Sequence, residues 1–521
     1  MNFSKNNHLI TFDKISISII IFFAFFVNYF YGNFGVYPID TFLHYDAGYR
    51  VLNGEYPIKD FWAVSGLFVD FLEALFFNLF GVNWQSHIIH SSIINVIMTV
   101  STYLIFRKLK LKNYLALIYS LLFGILAYTP SGTPFVDHHS AFFSLLGVYF
   151  FIEGILKNDK KYFILVPWFF GFSFLSKLVP SIYVISSIIF ISIFIIFYLR
   201  TTRHLKYLFF SSLVFLITFF LIINLLKINF TDFIIQYILY PQSIGSDRFN
   251  AIVIKFESFF NQFKYILIPI FLIIYFNFKI IIKKNSIENK KKIIVSLTLI
   301  LYSISLLIHQ ILTKNQIFIY FLIPLLFGWL HTYLRNFKFQ KIMAFFLVIT
   351  CVLITTKYHY RYNETRKFHE LKGVDFSNAI DANLISKDLS GLKWITPQNK
   401  NNPPKEIKEI KKITNFLYKD NRNKILITHY LFYSANLKME LNSPSRTYTL
   451  DGASFPVKGN KYFIYYKNFL NKKINEKNIQ VIYLLNMDKI NIRVVTDYLD
   501  KECYKIINKD LFTIFEIQKN C

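Results

Sequence analysis

The stretch ISISIIIFFAFFVNYFYGNFGVYPIDTFLHYDAGYRVLNGEYPIKDFW, residues 15–62, decides how this chain is read. Its first part, 15–36, carries no charge and matches the ~20 residues that a helix needs to cross the hydrocarbon of a bilayer. Pro38, Ile39 and Asp40 follow, so a carboxylate stands where the apolar run ends. Beyond it Asp, Tyr, Arg, Glu and Lys alternate with Gly54 and Pro57, which punctuate the segment as a defined turn. A membrane–water boundary thus falls inside this one stretch, with polar side chains gathered on its wet side. No small-residue cleavage site follows the first run, which predicts a retained anchor rather than a signal peptide.

Runs of similar length recur at 87–106, 114–129, 139–156, 162–176, 181–199, 207–226, 265–282, 293–312, 317–334 and 342–356. The expectation is a polytopic α-helical membrane protein with about eleven spans. Composition agrees: 54% of the 521 residues are hydrophobic and 19% are aromatic. A soluble chain of this length needs more polar surface than that.

The net charge is +27. Its placement explains it. Lys5 and Lys14 precede the first run; Arg107 to Lys112, Lys157 to Lys161, Arg200 to Lys206, Lys279 to Lys292 and Arg335 to Lys341 fill every second loop. Basic loops stay in the cytoplasm, so the N-terminus is expected inside and the odd span count puts the tail outside, at the plasma (inner) membrane. No basic face combines with a nucleic-acid reader motif, which argues against nucleic acid as a partner.

Two outside loops are long, 37–86 and 227–264. The first holds the apolar stretch 61–80 with Asp70 and Glu73, read as helices lying in the interface. The predicted division is a transmembrane domain over 1–357 and a soluble extracytoplasmic α/β domain over 358–521. In the latter, 399–404 reads as a linker or turn and Ile407, Ile410, Ile413 and Leu417 mark an amphipathic helix. Runs at 424–429, 462–466, 481–485 and 512–517 read as strands. Cys503 and Cys521 lie in the tail and can pair in an oxidising compartment.

Ionisable residues at the outer boundary carry the chemistry. A boundary carboxylate such as Asp40, backed by an apolar wall, suits a general base; the plainer reading is a cap for a helix starting near Thr41. Asp137 is the sole acid in the loop TPSGTPFVDHHSAFF, where His138 and His139 follow. Adjacent residues rarely aim at one ion, so a metal on the two histidines competes with a role as interfacial donors. Lys177 ends an apolar run and either snorkels or finds an anion. Arg248, in the second long loop, suits phosphate or is a solvated charge.

The segment around Asp40 resembles the first outer loop of the GT-C superfamily, membrane glycosyltransferases that use polyprenyl-phosphate sugars. It is most similar to the bacterial branch related to protein mannosyltransferases and aminoarabinose transferases. The pattern falls on Asp40, Tyr49, Leu52, Gly54, Tyr56, Pro57 and Asp60. Thr41 stands where many members have a second acid, and AVSGL where many have Lys-Pro-Pro. The resemblance implies a GT-C-like bundle in which Asp40 is the catalytic base and Asp137 a second catalytic carboxylate near it, orienting the acceptor or binding a cation. It implies substrate contacts from Tyr49, Tyr56, Asp60 and Lys177, with Lys314 and Tyr320 near the donor phosphates. The donor would be a polyprenyl-phosphate sugar and the acceptor an extracytoplasmic glycan, lipid or protein; no cofactor is demanded, and a divalent metal is left open. The rival readings are a surface-polysaccharide polymerase or ligase, and a lipid-linked substrate transporter or flippase. The flippase predicts paired broken helices, and none stands out in the sequence.

Overall fold

The computed structural model describes residues 2–250, 256–283, 286–313, 319–334, 340–364 and 371–518. Helices dominate. In chain order they are α1 (Asn2–Gly32), α2 (Pro38–Thr41), α3 (Leu43–Leu52), α4 (Leu67–Phe80), α5 (Trp84–Lys108), α6 (Asn113–Leu126) and α7 (Val136–Lys157). Then come α8 (Lys160–Ser176), α9 (Leu178–Leu199), α10 (Arg203–Leu225), α11 (Phe230–Phe233), α12 (Tyr240–Asn250), α13 (Phe256–Lys283) and α14 (Ile287–Thr313). The last are α15 (Leu322–His331), α16 (Gln340–His359), α17 (Pro403–Lys419), α18 (Tyr433–Leu437), α19 (Phe463–Glu476) and α20 (Arg493–Thr496).

Among the described residues, 8 segments are long and apolar enough to cross a membrane. They lie in α1, α5, α7, α9, α10, α13, α14 and α16. The expected spans at 114–129, 162–176 and 317–334 fall on the shorter helices α6, α8 and α15, of 14, 17 and 10 residues. Each of the eleven expected spans thus meets a helix, although 317 and 318 lie outside the described residues.

Contacts divide the chain into two units that are discontinuous in sequence. The first comprises Met1–Gly32, Ile88–Phe219 and Ala251–Lys372; the second comprises Asn33–His87, Phe220–Asn250 and Gly373–Cys521. This grouping differs from the expected division at 357/358, because most of each long loop belongs with the tail.

In the first unit, glycine permits close helix approach. A Cβ on Gly171 of α8 would sit 2.0 Å from the Phe215 ring of α10, and one on Gly147 of α7 would sit 2.7 Å from the Phe170 ring of α8. Small residues at such crossings let helices pack where no water drives them together.

The second unit is built on a four-stranded sheet ordered β3-β4-β6-β5, with β3 (Lys424–Ile427), β4 (Val481–Leu485), β5 (Tyr504–Asn508) and β6 (Phe512–Ile517). A small antiparallel pair, β1 (Ile380–Asp381) and β2 (Lys393–Trp394), precedes it. β3 and β4 run parallel and the remaining pairs antiparallel. A parallel pair needs a crossover, and α19 lies within that connection. Here one expectation is corrected: 462–466 is not a strand. Tyr466, Phe469, Leu470 and Ile474 are buried at helical spacing, so the alternation in YFIYY is the opening of an amphipathic helix. The expected linker or turn at 399–404 is a turn over 399–401 that leads into α17, where the Asn402 side chain accepts from the Lys405 N–H and Pro403 occupies the first turn.

Trp62 and Tyr240, one from each long loop, are buried in this unit's core beside Tyr466, Phe469 and Phe515. The Tyr240 hydroxyl donates to the Gly452 carbonyl. Cys503 is disulfide-bonded, Cys351 is free and buried, and Cys521 lies outside the described residues.

Candidate functional site

Asp40 sits in the single turn of α2, which Pro38 opens. The Tyr37 N–H donates to Thr41 Oγ1 at 2.9 Å. Just before it, the Gly35 and Val36 N–H groups donate to the carbonyls of Lys393 and Ile395, each at 2.9 Å. The backbone that carries Asp40 is therefore held from both sides, while its side chain is only partly buried. α3 starts after Phe42, which makes no side-chain cap, while Asp40 lies in the first turn of the preceding α2.

α3 and the turn after it are wired into the second unit. Asp70 on α4 binds His44 Nδ1 at 2.7 Å and pairs with Arg446, whose guanidinium also donates to the Ser65 carbonyl. Glu73 contacts His87 Nδ1 at 2.6 Å. Both carboxylates have zero exposure, so α4 is not an amphipathic helix with its acids in water. Arg50 binds Glu55 at 2.7 Å and the Ser443 carbonyl at 2.7 Å, and its guanidinium lies 4.1 Å from the Phe61 ring centroid. Burial pushes the Asp70 carboxyl above the usual range, against the pull of Arg446.

The resemblance residues take their places on this frame. Tyr49 is half-buried on α3, and burial with nearby carboxylates raises its phenol. Gly54 turns the chain with φ +85, in open space. Tyr56 stacks on Phe71 at 6.1 Å. Asp60 accepts the Tyr56 N–H at 2.8 Å and lies 3.6 Å from Lys473 on α19, so it pins the turn.

Asp137 lies in the first unit, in the opening turn of α7, where the helix dipole favours an anion. Lys177, at the break between α8 and α9, donates to both Asp137 oxygens at 2.8 Å. His309, near the end of α14, meets Oδ1 at 2.6 Å. Asp137 is thus held by an ammonium and an imidazole from two other places in the chain. Lys177 keeps 26% of its side-chain exposure. Around them Ser140, Ser173 and Ser181 form a hydroxyl cluster, with Ser140 and Ser181 2.8 Å apart. With the Lys177 ammonium on both oxygens, Asp137 is not a donor set that fits a divalent metal. His309 escaped the sequence reading; an ionisable residue inside a spanning run is the signal that marks it.

His138 and His139 go separate ways. His138 stacks on Tyr128 at 4.7 Å, whereas His139 binds the Tyr128 hydroxyl at 2.7 Å and His90 Nε2 at 3.0 Å. The suggested metal pair is therefore not built, and no cluster of three or more His, Cys, Asp or Glu able to hold a metal occurs among the described residues. Tyr320 is packed between rings, 4.0 Å from Tyr358 and 5.5 Å from Tyr362. Arg248 is exposed on α12. Lys314 lies outside the described residues.

Residues 65–224 match the model of the family described as dolichyl-phosphate-mannose-protein mannosyltransferase. The match supports the GT-C reading that the segment around Asp40 suggested. The fold is also similar to a solved oligosaccharyltransferase of Archaeoglobus fulgidus, at 12% identity and a TM-score of 0.42, over 97% of this chain and 74% of that one. A likeness that loose carries no weight on function. None of the curated proteins matches the chain.

Proposed function

We propose, on the premise that the chain is a membrane glycosyltransferase of the GT-C superfamily, that it moves a sugar from a polyprenyl-phosphate donor to a hydroxyl of an extracytoplasmic acceptor. The observation that carries this reading is Asp40: a partly exposed carboxylate on a turn fixed at both ends, directly after the first span. Asp40 takes the proton from the acceptor hydroxyl as that oxygen attacks the anomeric carbon. The bond from that carbon to the donor's phosphate oxygen breaks, and polyprenyl phosphate departs with the electron pair. One displacement inverts the anomeric centre.

A phosphate leaving group needs cationic stabilisation more than it needs an acid. Within the first unit Lys177 offers such a cation: Asp137, which His309 binds in turn, holds its ammonium while part of it stays exposed. Asp137 then serves as a positioning residue. The active face is assigned to the outside of the plasma membrane, with the N-terminus in the cytoplasm.

The experiment is transfer by the purified chain in liposomes loaded with an α-configured polyprenyl-phosphate sugar and a panel of cell-envelope acceptors. Release of polyprenyl phosphate with a β-linked product is expected. A product that retains the donor configuration would sink the single-displacement mechanism.

A further inference from the structure

A groove of about 830 Å³ runs between α8, α9 and α10, wholly inside the first unit and separate from the Asp137 cluster. Phe170, Ile188, Ser192, Ser212, Phe215 and Lys206 are among its walls. α9 and α10 both have the length and hydropathy of membrane spans, so the medium around the groove is hydrocarbon. A groove of that size left empty would forfeit dispersion contacts along its whole wall.

Length and charge narrow the occupant. Along α10 the lining runs from Leu205 to Phe219, about 21 Å at 1.5 Å per residue. One leaflet of a ~30 Å core is about 15 Å deep, so the groove is long enough for a single acyl chain with its headgroup at one end. Arg200, Arg203 and Lys206 are exposed at the Lys206 end. No Asp or Glu occurs anywhere from Lys160 to Thr231, so α8, α9 and α10 supply no counter-ion. Among the described residues none of these three cations is in an ion pair.

We propose that this groove binds one acyl chain of an anionic bilayer phospholipid, with Arg203 and Lys206 on its phosphate. On the proposed orientation these cations face the cytoplasm, opposite the boundary where the donor phosphate reacts. The groove is therefore assigned to a phospholipid and not to the donor.

The test uses the full chain in liposomes with spin-labelled phosphatidylglycerol or phosphatidylcholine, reading the motionally restricted fraction. Phosphatidylglycerol should be preferred, by roughly fivefold for each cation engaged. R203E/K206E should abolish the preference, and I189W, which fills the groove without changing charge, should lower bound phosphatidylglycerol. K279E, a reversal on α13 away from the groove, should leave the preference intact. The proposal is overturned if R203E/K206E and I189W both behave as the unmodified chain does. It is equally overturned if unlabelled polyprenyl phosphate displaces the labelled phosphatidylglycerol, because the groove would then belong to the donor.

Discussion

Asp70 has no exposed surface, and its two oxygens are divided between His44 and Arg446. Withdrawing such charges from water is expensive, and the attraction between them repays it only while both partners are present. R446A should therefore destabilise the protein by about 3–5 kcal/mol, and adding D70N should recover a large part of that. Thermal melts of the four proteins of this cycle check it; strictly additive losses would show that the pair is not coupled. The same physics explains what a residue-by-residue reading of the sequence can reach. Asp137 and Lys177 each stood out as an ionisable group at a boundary, because such groups are costly there. Their union with His309 was hidden, since 40 and 172 positions separate Asp137 from its two partners. Asp60 also matched a family pattern, yet its hydrogen bond to Tyr56 and its approach to Lys473 give it a fixing role that no spacing reveals.

At the scale of elements, β3 and β4 present their carboxyl ends side by side, and Asp488 lies just beyond β4. It accepts from Thr428 Oγ1 at 2.5 Å and from the His429 N–H at 3.1 Å. Burial pushes its carboxyl up to about 7, with Glu406 and Glu409 adding to the rise. A folded-state value raised above the ordinary 3.8 means that the native state holds a proton which the unfolded chain has released. The stability that Asp488 contributes is then fully present below about pH 4 and is lost as pH rises through 7, by on the order of a few kcal/mol. Hydrogen exchange of the β3 and β4 amides should quicken across that window in the full chain, and D488N should flatten the trend. An identical slope in D488N would remove Asp488 as its origin. These strands were legible because their buried residues are consecutive and apolar, as in KILI and VIYLL. β5 was not, since YKIIN is largely exposed and carries no pattern. The stretch at 462–466 misled because a short aromatic run fits both periods, and only the apolar residues further along α19 settle it.

At the scale of the whole molecule, hydropathy alone located the spans, because lipid demands long apolar helices whatever the tertiary fold. It could not show that the long loops join the tail, since that grouping rests on contacts such as those of Trp62, which lies far in sequence from the α19 residues it packs against. W62A should cost about 3–5 kcal/mol and loosen the tail and first loop together, as limited proteolysis of both segments would show. Cleavage confined to one segment would contradict their cooperation. The basic loops predict a direction: a reporter active only outside the cell should work when fused to the C-terminus, and a cytoplasmic tail would overturn the proposed orientation. The role proposed for Asp40 is removal of the acceptor proton. Its most direct test is the rate of sugar transfer from a polyprenyl-phosphate donor by D40N, in liposomes, beside the unmodified chain. A loss of about 10²–10⁴-fold in kcat, with donor binding retained, is the predicted result; transfer at the unmodified rate would contradict it.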